Sequence, residues 1–299
     1  MVIGFDPGGG TDRSARLVGP AWAKALGSPY PFKFTNMPGA GAVIALVHTL
    51  KARPDGHVIN AVPAPHVAWI FELKRAKGYT PEDIAFIGAY FDDPNVLLVK
   101  KDAKWNTIDE FIDDARKTKT PFTVSVSTPM SAAHAATVVL RELTGANLKV
   151  VSFQGGSAAR NAVAGGHVTA CLAPYWSALH VLELTKGIGI LQDSNPAPHL
   201  WTPVPANKVL DVKIPNLSEP YLFLVSAAVK KEHPENYRKL VDSMKVMHRS
   251  EEFRKAADAQ DLTPFLKYMS PEECDAFMKD YLALLETYRP AMEKDLQSM

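Results

Sequence analysis

The feature that most constrains this chain is a repeated alternation of short apolar runs and amphipathic helical runs, joined by glycine-rich turns. Such alternation is typical of α/β proteins in which helices cover both faces of a mostly parallel sheet. It is clearest in the middle of the chain. There the predicted elements are strand Phe122–Ser127, helix Ser131–Thr144 ended by Gly145, strand Leu148–Phe153, helix Ser157–Ala164 and strand Val168–Ala173.

Other segments give further expectations about local structure. Thr11 or Asp12 is expected to cap the first helix. A helix is predicted over Tyr175–Lys186, and the Pro- and Asn-rich segment Asp193–Pro220 is predicted as loop. The sequence Ser270-Pro271-Glu272-Glu273 is typical of a helix start and is expected to begin a long last helix.

Composition excludes several classes of protein. The chain has 299 residues, 46% hydrophobic and 22% charged, which is ordinary for a globular protein and suggests about two domains. Lys and Arg number 33 against 32 Asp and Glu, without a basic stripe, so nucleic-acid binding is not expected. The most apolar stretch, Ala40–Leu50, is too short to span a membrane.

Metal sites and compartment are less constrained by the sequence. Cys171 and Cys274 lack the spacing of a zinc site, and they could form one disulfide at most. No signal peptide precedes the first predicted strand, Val2–Phe5. The chain is therefore expected to be either cytosolic or a mature form that begins at an added methionine.

The most distinctive motif is the glycine loop Phe5–Asp12, which joins the first strand to the first helix. Glycines allow a ligand to approach the backbone, and amides at a helix start favour an anion. The loop lacks the Lys of a phosphate-binding loop and the spacing of a dinucleotide motif, so a nucleotide-binding module is a weak alternative. The simplest alternative is a tight turn that needs glycine only for its backbone angles.

Two further strand-to-helix turns are rich in hydroxyl groups or glycine: Ser127–His134 and Phe153–Ser157. In α/β folds such turns gather at the carboxyl ends of the parallel strands, where ligands bind. Ser131 is also explained as a helix cap without any function. An α/β hydrolase or transferase, with Ser131 as nucleophile and His134 as base, is the enzymatic alternative.

An ordered set of motifs resembles the tripartite tricarboxylate transporter substrate-binding proteins, also called Bug-type receptors. The resemblance covers nearly the whole chain. Its motifs are Phe5–Asp12, Asn36–Ala42, Pro54-Asp55-Gly56, Tyr79–Ile84, Pro94–Leu97, Ser127–His134, Phe153–Gly156 and Ser270–Glu273.

The resemblance implies a non-enzymatic, periplasmic receptor with the two-lobed type II (Venus-flytrap) binding-protein fold. Lobe 1 is expected to comprise residues 1–100 plus 221–299, and lobe 2 residues 101–220. The lobes would close on a small organic carboxylate and deliver it to membrane permease subunits. The receptor is expected to be a monomer without cofactor, metal or nucleic acid.

The resemblance also assigns the ligand-binding residues, with the two loops Phe5–Gly9 and Ser127–His134 holding one carboxylate. The full candidate set is Phe5, Asp6, Pro7, Gly8, Gly9, Ala64, Pro65, His66, Ser127, Thr128, Met130, Ser131, His134, Gly155, Gly156, Ala173, Tyr175 and Trp176.

Two departures from the family pattern and a group of aromatic residues bear on the ligand. Asp6 stands where alanine is usual, and its charge would oppose an anion. Ala173 stands where an aspartate could meet an amino group, which argues against an amino acid. Aromatic side chains such as Trp69 and Trp176 could face a flat ligand, or could simply pack in the lobes. An aromatic or dicarboxylic acid is therefore favoured.

Overall fold

The computed structural model describes residues Met1–Ser298, which form two compact units. The first unit comprises Met1–Asp92 and Pro220–Ala283. The second comprises Asp93–Glu219 and the segment from Leu284 onward.

Each unit contains one six-stranded sheet. The strands are β1 (Val2–Ile3), β2 (Thr35–Asn36), β3 (Asn60–Pro63), β4 (Ile84–Asp93), β5 (Asn95–Lys100), β6 (Phe122–Val126), β7 (Leu148–Ser152), β8 (Ala170–Pro174), β9 (Thr185–Ile190), β10 (Val204–Pro205), β11 (Glu219–Ser226) and β12 (Leu266–Met269).

Helices connect most of these strands. They are α1 (Gly10–Ala25), α2 (Val43–Lys51), α3 (Ala64–Glu72), α4 (Ile108–Lys117), α5 (Ala132–Thr144), α6 (Gly156–Ala164), α7 (Tyr175–Ala178), α8 (Ala206–Val209), α9 (Ala227–Glu232), α10 (Pro234–Arg249), α11 (Glu251–Asp258) and α12 (Pro271–Ser298).

The strand order is β12-β4-β11-β3-β1-β2 in the first sheet and β10-β9-β5-β8-β6-β7 in the second. In the first sheet β1 runs parallel to β2 and β3, and in the second β6 runs parallel to β7 and β8. All five residues of β8 are buried, as expected for a central strand covered on both faces. The predicted α/β fold class is confirmed.

The sheets are mixed rather than mostly parallel. β5 is antiparallel to β8 and β9, and β11 is antiparallel to β3. These are the strands with which the chain enters the second unit and returns to the first. An antiparallel strand therefore follows each of these two passages between the units.

The observed units differ from the predicted lobes at three places, one of which is the single residue Pro220, found in the first unit. Residues 93–100 belong to the second unit because β5 pairs with β8 and β9 of the second sheet. The segment from Leu284 onward also belongs to the second unit, where Asp295 of α12 forms an ion pair with Arg141 of α5.

Several predicted elements are confirmed because their signals are local. α5 has Ser131 as its N-cap and ends at Gly145, which has the left-handed backbone of a C-cap. The last helix begins after Ser270, whose hydroxyl accepts the Glu273 amide while the Glu273 carboxylate accepts the Ser270 amide. This is the reciprocal arrangement of a capping box.

The predicted helix Tyr175–Lys186 is wrong. α7 ends at Ala178, a 3-10 turn follows, and Thr185–Ile190 is strand β9. The strand forms because β5 and β10 pair with it and because its glycines allow close packing. A Cβ at Gly189 would lie 2.5 Å from the Cβ of Ile108.

Two smaller predictions also require correction. The segment predicted as loop, Asp193–Pro220, contains β10 and α8 as well as the start of β11. The first helix begins at Gly10 with Gly9 at the N-cap position, so neither Thr11 nor Asp12 caps it. The carboxylate of Asp12 is instead bound to the glycine loop, as described below.

Candidate functional site

The glycine loop of the first unit ends at the start of helix α1, whose first backbone amides are potential donors. Gly8 is exposed and has a φ of +79°, which strains residues with a side chain. In the described part of the chain, no side chain caps α1. Its first amides also lack intrahelical acceptors, so they are available to an anion.

The loop is tied to its own helix by Asp12, a buried carboxylate that the sequence analysis did not include in the site. Its Oδ2 accepts the Gly8 amide at 2.9 Å, and its Oδ1 accepts Arg16 Nε and Asn36 Nδ2, each at 2.9 Å. The Asn36 amide also donates to the Phe5 carbonyl oxygen at 2.9 Å. The Asp12 carboxylate therefore fixes the loop at Gly8, and the Asn36 side-chain amide fixes it at Phe5.

The charge of Asp12 is balanced within this network. Burial favours the neutral acid, but the hydrogen bonds from Arg16, Gly8 and Asn36 outweigh it and hold the pKa of Asp12 below its usual value. The carboxylate is therefore ionised at neutral pH and its oxygens are occupied by donors.

Asp6 is the other carboxylate at this loop, and it is exposed. Its carbonyl oxygen accepts the Gly9 amide at 3.3 Å, so the backbone at this position closes the turn. Pro7, which follows it, is also exposed. The negative charge of Asp6 thus lies on the exposed part of the loop that carries the donors.

Phe5 and His66 are brought together at the ends of two parallel strands. β1 pairs with β3, so the loop after β1 and helix α3 after β3 leave the sheet at the same edge. The rings of Phe5 and His66 meet edge to face with centroids 4.8 Å apart. Ala64, Pro65 and His66 form the buried first turn of α3.

Burial keeps His66 neutral. It lowers the pKa of His66 to about 3, because the surroundings do not solvate the imidazolium ion. At neutral pH the ring therefore adds shape and a polar surface to the site, without positive charge.

In the second unit, the loop between β6 and α5 is held by hydrogen bonds within itself. The Ser131 hydroxyl accepts the His134 amide at 3.1 Å, which is the N-cap of α5. His134 Nδ1 accepts the Met130 amide at 3.2 Å. Met130 has a φ of +67°, an uncommon backbone for a residue with a side chain. Ser127 and Thr128 of the same loop are half-buried.

This arrangement does not pair Ser131 with His134 as nucleophile and base. A base would accept the serine proton with a ring nitrogen, but Nδ1 already accepts from Met130. Nε2 lies 3.5 Å from Oδ2 of Asp295, on the last helix. Nδ1 is therefore engaged by the Met130 amide and does not accept from the Ser131 hydroxyl.

Gly155 links the third turn to the second. Its amide donates to the Ser127 carbonyl oxygen at 2.7 Å, and its φ of +113° strains residues with a side chain. Gly156 begins α6 and lies against the side chain of Arg160, since a Cβ at Gly156 would be 2.7 Å from a guanidinium nitrogen. Arg160 is 3% exposed and was not predicted as a site residue.

At the end of β8 in the second unit, the backbone amides bind an acidic side chain of the protein, Asp93. Ala173 is buried in β8, and the short helix α7 follows. Its Trp176 and Ser177 amides donate to the two carboxylate oxygens of Asp93, at 2.9 and 3.4 Å. Asp93 is fully buried, so these amides serve the fold.

Tyr175 also has a structural role. Its hydroxyl oxygen lies 2.9 Å from the carbonyl oxygens of both Ala197 and Trp201, which share its single hydrogen, and its ring meets the Trp201 ring edge to face. These contacts attach α7 to the segment before β10. Tyr175 and Trp176 are both buried, as is Trp69 of α3.

The predicted site residues therefore form two local groups. In the first unit, Phe5–Gly9 adjoin Ala64–His66, and in the second, Ser127–His134 adjoin Gly155 and Gly156. Sequence analysis missed the side chains that hold these loops. They include Asp12, which binds the amide four residues before it, and Asn36 and Asp295, whose contacts join positions distant in the chain.

The described residues also bear on metal binding, disulfide formation and membrane insertion. Across Met1–Ser298, no group of three His, Cys, Asp or Glu side chains could hold a metal ion. Cys171 and Cys274 are buried free thiols. Of the helices that the structure describes, none is both long and apolar enough to cross a bilayer.

Comparison with known sequences identifies related proteins. The sequence model of one protein family, described as tripartite tricarboxylate transporter family receptor, matches residues 14–286. The protein BugT of Bordetella pertussis is 27% identical over 172 residues, covering 57% of this chain and 52% of BugT. A protein of the gbd 5′ region of Cupriavidus necator is 28% identical over 181 residues, covering 58% and 54%. The chain thus spans about half the length of these curated relatives.

Solved structures share the fold over nearly the whole chain. A Rhodopseudomonas palustris protein solved with adipate has a TM-score of 0.82 at 19% identity, covering 98% of this chain and 96% of its own. MatC from the same organism, solved with bound malate, has a TM-score of 0.81 at 19% identity, covering 96% and 97%. The periplasmic binding protein BugD gives 0.80 at 20%, covering 99% and 96%.

Proposed function

The chain belongs to the tripartite tricarboxylate transporter receptor family, and we propose that it binds a small organic carboxylate outside the cytoplasm. Members of this family are solute-binding receptors rather than enzymes. The position of His134 agrees with this, since its Nδ1 accepts the Met130 amide and not the Ser131 hydroxyl.

One observation carries the carboxylate proposal: each unit has a strand-to-helix loop with uncharged donors. In the first unit these are the amides at the start of α1, beside Gly8 and Gly9. In the second they are the Ser131 hydroxyl and the loop that contains Met130. Hydrogen bonds from neutral donors to a charged acceptor each contribute about 1.5–3 kcal/mol, so a few of them suffice to bind a carboxylate.

The favoured ligand is a dicarboxylic or aromatic acid rather than an amino acid. The structural neighbours with malate and adipate support the first of these classes. An amino acid would need an acid for its ammonium group, but β8 has Ala173 at the position considered for it. The nearby carboxylate of Asp93 already accepts two backbone amides.

We also propose that the receptor works in the periplasm as a monomer and delivers its ligand to membrane permease subunits. Family membership supports this part of the proposal. No cofactor or metal is required, because the donors of the two loops are backbone and side-chain groups of the chain itself.

A thermal-shift screen of aliphatic dicarboxylic, aromatic, tricarboxylic and amino acids tests the proposed ligand class. We expect acids of the first two classes to raise the melting temperature by mass action. Mass spectrometry of the same mixtures should recover the acid unchanged. Stabilisation by sugars or amines and by no acid would refute the carboxylate proposal. A converted product that disappears in Ser131→Ala would instead support an enzyme.

A further inference from the structure

The loop of the second unit is connected to the far end of the chain through the ring of His134. Nδ1 of this ring accepts the Met130 amide at 3.2 Å. Nε2 lies 3.5 Å from a carboxylate oxygen of Asp295, which is on α12. The ring is fully buried, so solvent does not compete for either nitrogen.

These contacts select one tautomer of the imidazole. A neutral ring has one nitrogen that donates and one that accepts. Nδ1 must accept, because its partner is a backbone N–H. Nε2 therefore carries the hydrogen, and Nε2 lies 3.5 Å from the carboxylate of Asp295. The opposite tautomer would place two N–H groups against each other at Met130 and would leave Nε2 without a hydrogen toward the acid.

Asp295 is itself held in position from the other side. Arg141 of α5 lies 3.0 and 3.1 Å from the two carboxylate oxygens. Burial favours the neutral acid, but the His134 and Arg141 contacts outweigh it, so the pKa of Asp295 is lowered. Asp295 is therefore a fixed, ionised acceptor beside the ring.

The Met130 contact matters because the backbone there is strained. A non-glycine residue in the left-handed region costs about 1–2 kcal/mol and persists only when its surroundings hold it. The acceptor at Nδ1 contributes to holding it. The same helix start presents the Ser131 hydroxyl, whose oxygen accepts the His134 amide while its hydrogen remains available.

From this geometry we propose that Asp295 is a positioning residue for ligand binding. It selects the Nε2–H tautomer of His134, which fixes Met130 and thereby the donor loop Ser127–His134. This inference rests on the proposed function for its binding consequence, but its structural part stands on the described contacts. The last helix thus contributes to the site without contacting the ligand.

The test is a double-mutant cycle with an NMR readout. Asp295→Ala removes the partner of Nε2. His134→Asn places a side-chain amide oxygen near the former Nδ1 position, where it can accept the Met130 amide. An amide side chain has no tautomers, so Asp295 has none to select in this background. Glu293→Ala is the matched control, because it removes an exposed negative charge from the same helix end. Asp295→Asn keeps the side-chain volume if the alanine variant folds poorly.

The first readout is the ¹⁵N spectrum of the His134 ring together with the Met130 amide resonance, recorded without ligand. Asp295→Ala should mix the two ring tautomers and shift the Met130 amide, whereas Glu293→Ala should do neither. Ring and amide signals that stay at their wild-type positions in Asp295→Ala and in Asp295→Asn would overturn the proposal.

The second readout is adipate affinity by calorimetry. Asp295→Ala should weaken binding about tenfold, because the His134 ring loses the nearby carboxylate that holds its orientation. In the His134→Asn background the same change should have less than about a twofold effect, since coupled residues are not additive. Equal losses in both backgrounds would contradict a route through His134. Absence of adipate binding by the wild type would count against the proposed ligand class, and the NMR readout would still decide the role of Asp295.

Discussion

The amide of Gly8 donates to Oδ2 of Asp12 at 2.9 Å, across the junction between the glycine loop and helix α1. A helix start normally attracts a negative charge, and here the protein supplies one of its own. Asp12 does not occupy the free amides of the first turn. It accepts from the loop that precedes them, so the loop is fixed and the amides remain open.

Asp12→Ala should therefore both destabilise the protein and weaken ligand binding. The change leaves the Gly8 amide, Arg16 and Asn36 without their shared acceptor. We expect the free energy of unfolding to fall by about 1–3 kcal/mol. Urea unfolding measures it, with Glu251→Ala as control, since Glu251 is an exposed acid in the first turn of α11. Equal effects of the two substitutions would contradict the role given to Asp12.

Asp6→Asn should strengthen the binding of dicarboxylic acids. Asp6 places an exposed negative charge on the loop that offers donors to an anion. Removing it should improve affinity by about two- to fivefold at low salt, and less at high salt because exposed charges are screened. Calorimetry at two salt concentrations tests this, with Asp280→Asn as an exposed control on α12. Weaker binding by Asp6→Asn would mean that the carboxylate of Asp6 serves the ligand.

Gly155→Ala should affect both folding and binding, whereas Gly145→Ala should affect folding only. Both glycines have positive φ, +113° and +67°. Gly155 lies in a backbone region essentially restricted to glycine, so alanine there should cost about 1–3 kcal/mol. Gly145 ends α5 and should cost about 1 kcal/mol. Because the Gly155 amide donates to Ser127, its substitution should also shift the donor loop and weaken adipate binding. Unchanged affinity in Gly155→Ala would contradict this coupling.

The ligand-free protein should lose stability as the pH falls below about 6.5. Burial lowers the pKa of His66 to about 3 and also lowers the pKa of His248. The unfolded chain therefore binds these protons first, and acid favours unfolding throughout the interval between the unfolded and folded pKa values. For His66 the loss between pH 6.5 and 4.5 should be on the order of 2 kcal/mol.

His66→Gln should flatten this pH dependence of the unfolding free energy, although its stability at neutral pH will also change. Thr120→Ala, at an exposed position that does not titrate, should leave the slope as in the wild type. Chemical denaturation at pH 7 and pH 5 gives the comparison. A His66→Gln variant with the wild-type slope would show that this histidine does not titrate on unfolding.

The parts of the fold that could be predicted are those encoded by neighbouring residues. Ser131 and Gly145 mark the two ends of α5, and the reciprocal contacts of Ser270 and Glu273 begin α12. Each of these signals lies within a few residues and supplies a cap for the backbone at a helix end. The α/β alternation could be predicted for the same reason.

The parts that could not be predicted depend on residues distant in the chain. Thr185 and Lys186, predicted as the end of a helix, instead begin strand β9, because they pair with β5. The same holds within the site. The loops were identified from their glycines and hydroxyls, but their positions depend on Asn36 and Asp295.

The central claim is that neutral donors of this receptor hold a carboxylate. The most direct measurement is a calorimetric comparison of adipate with its diamide, which keeps the shape and removes the charge. We predict that adipate binds and is recovered unchanged, and that the diamide binds at least about 100-fold more weakly, because hydrogen bonds to charged acceptors are roughly twice as strong. Equal affinity for the acid and the diamide would contradict the account.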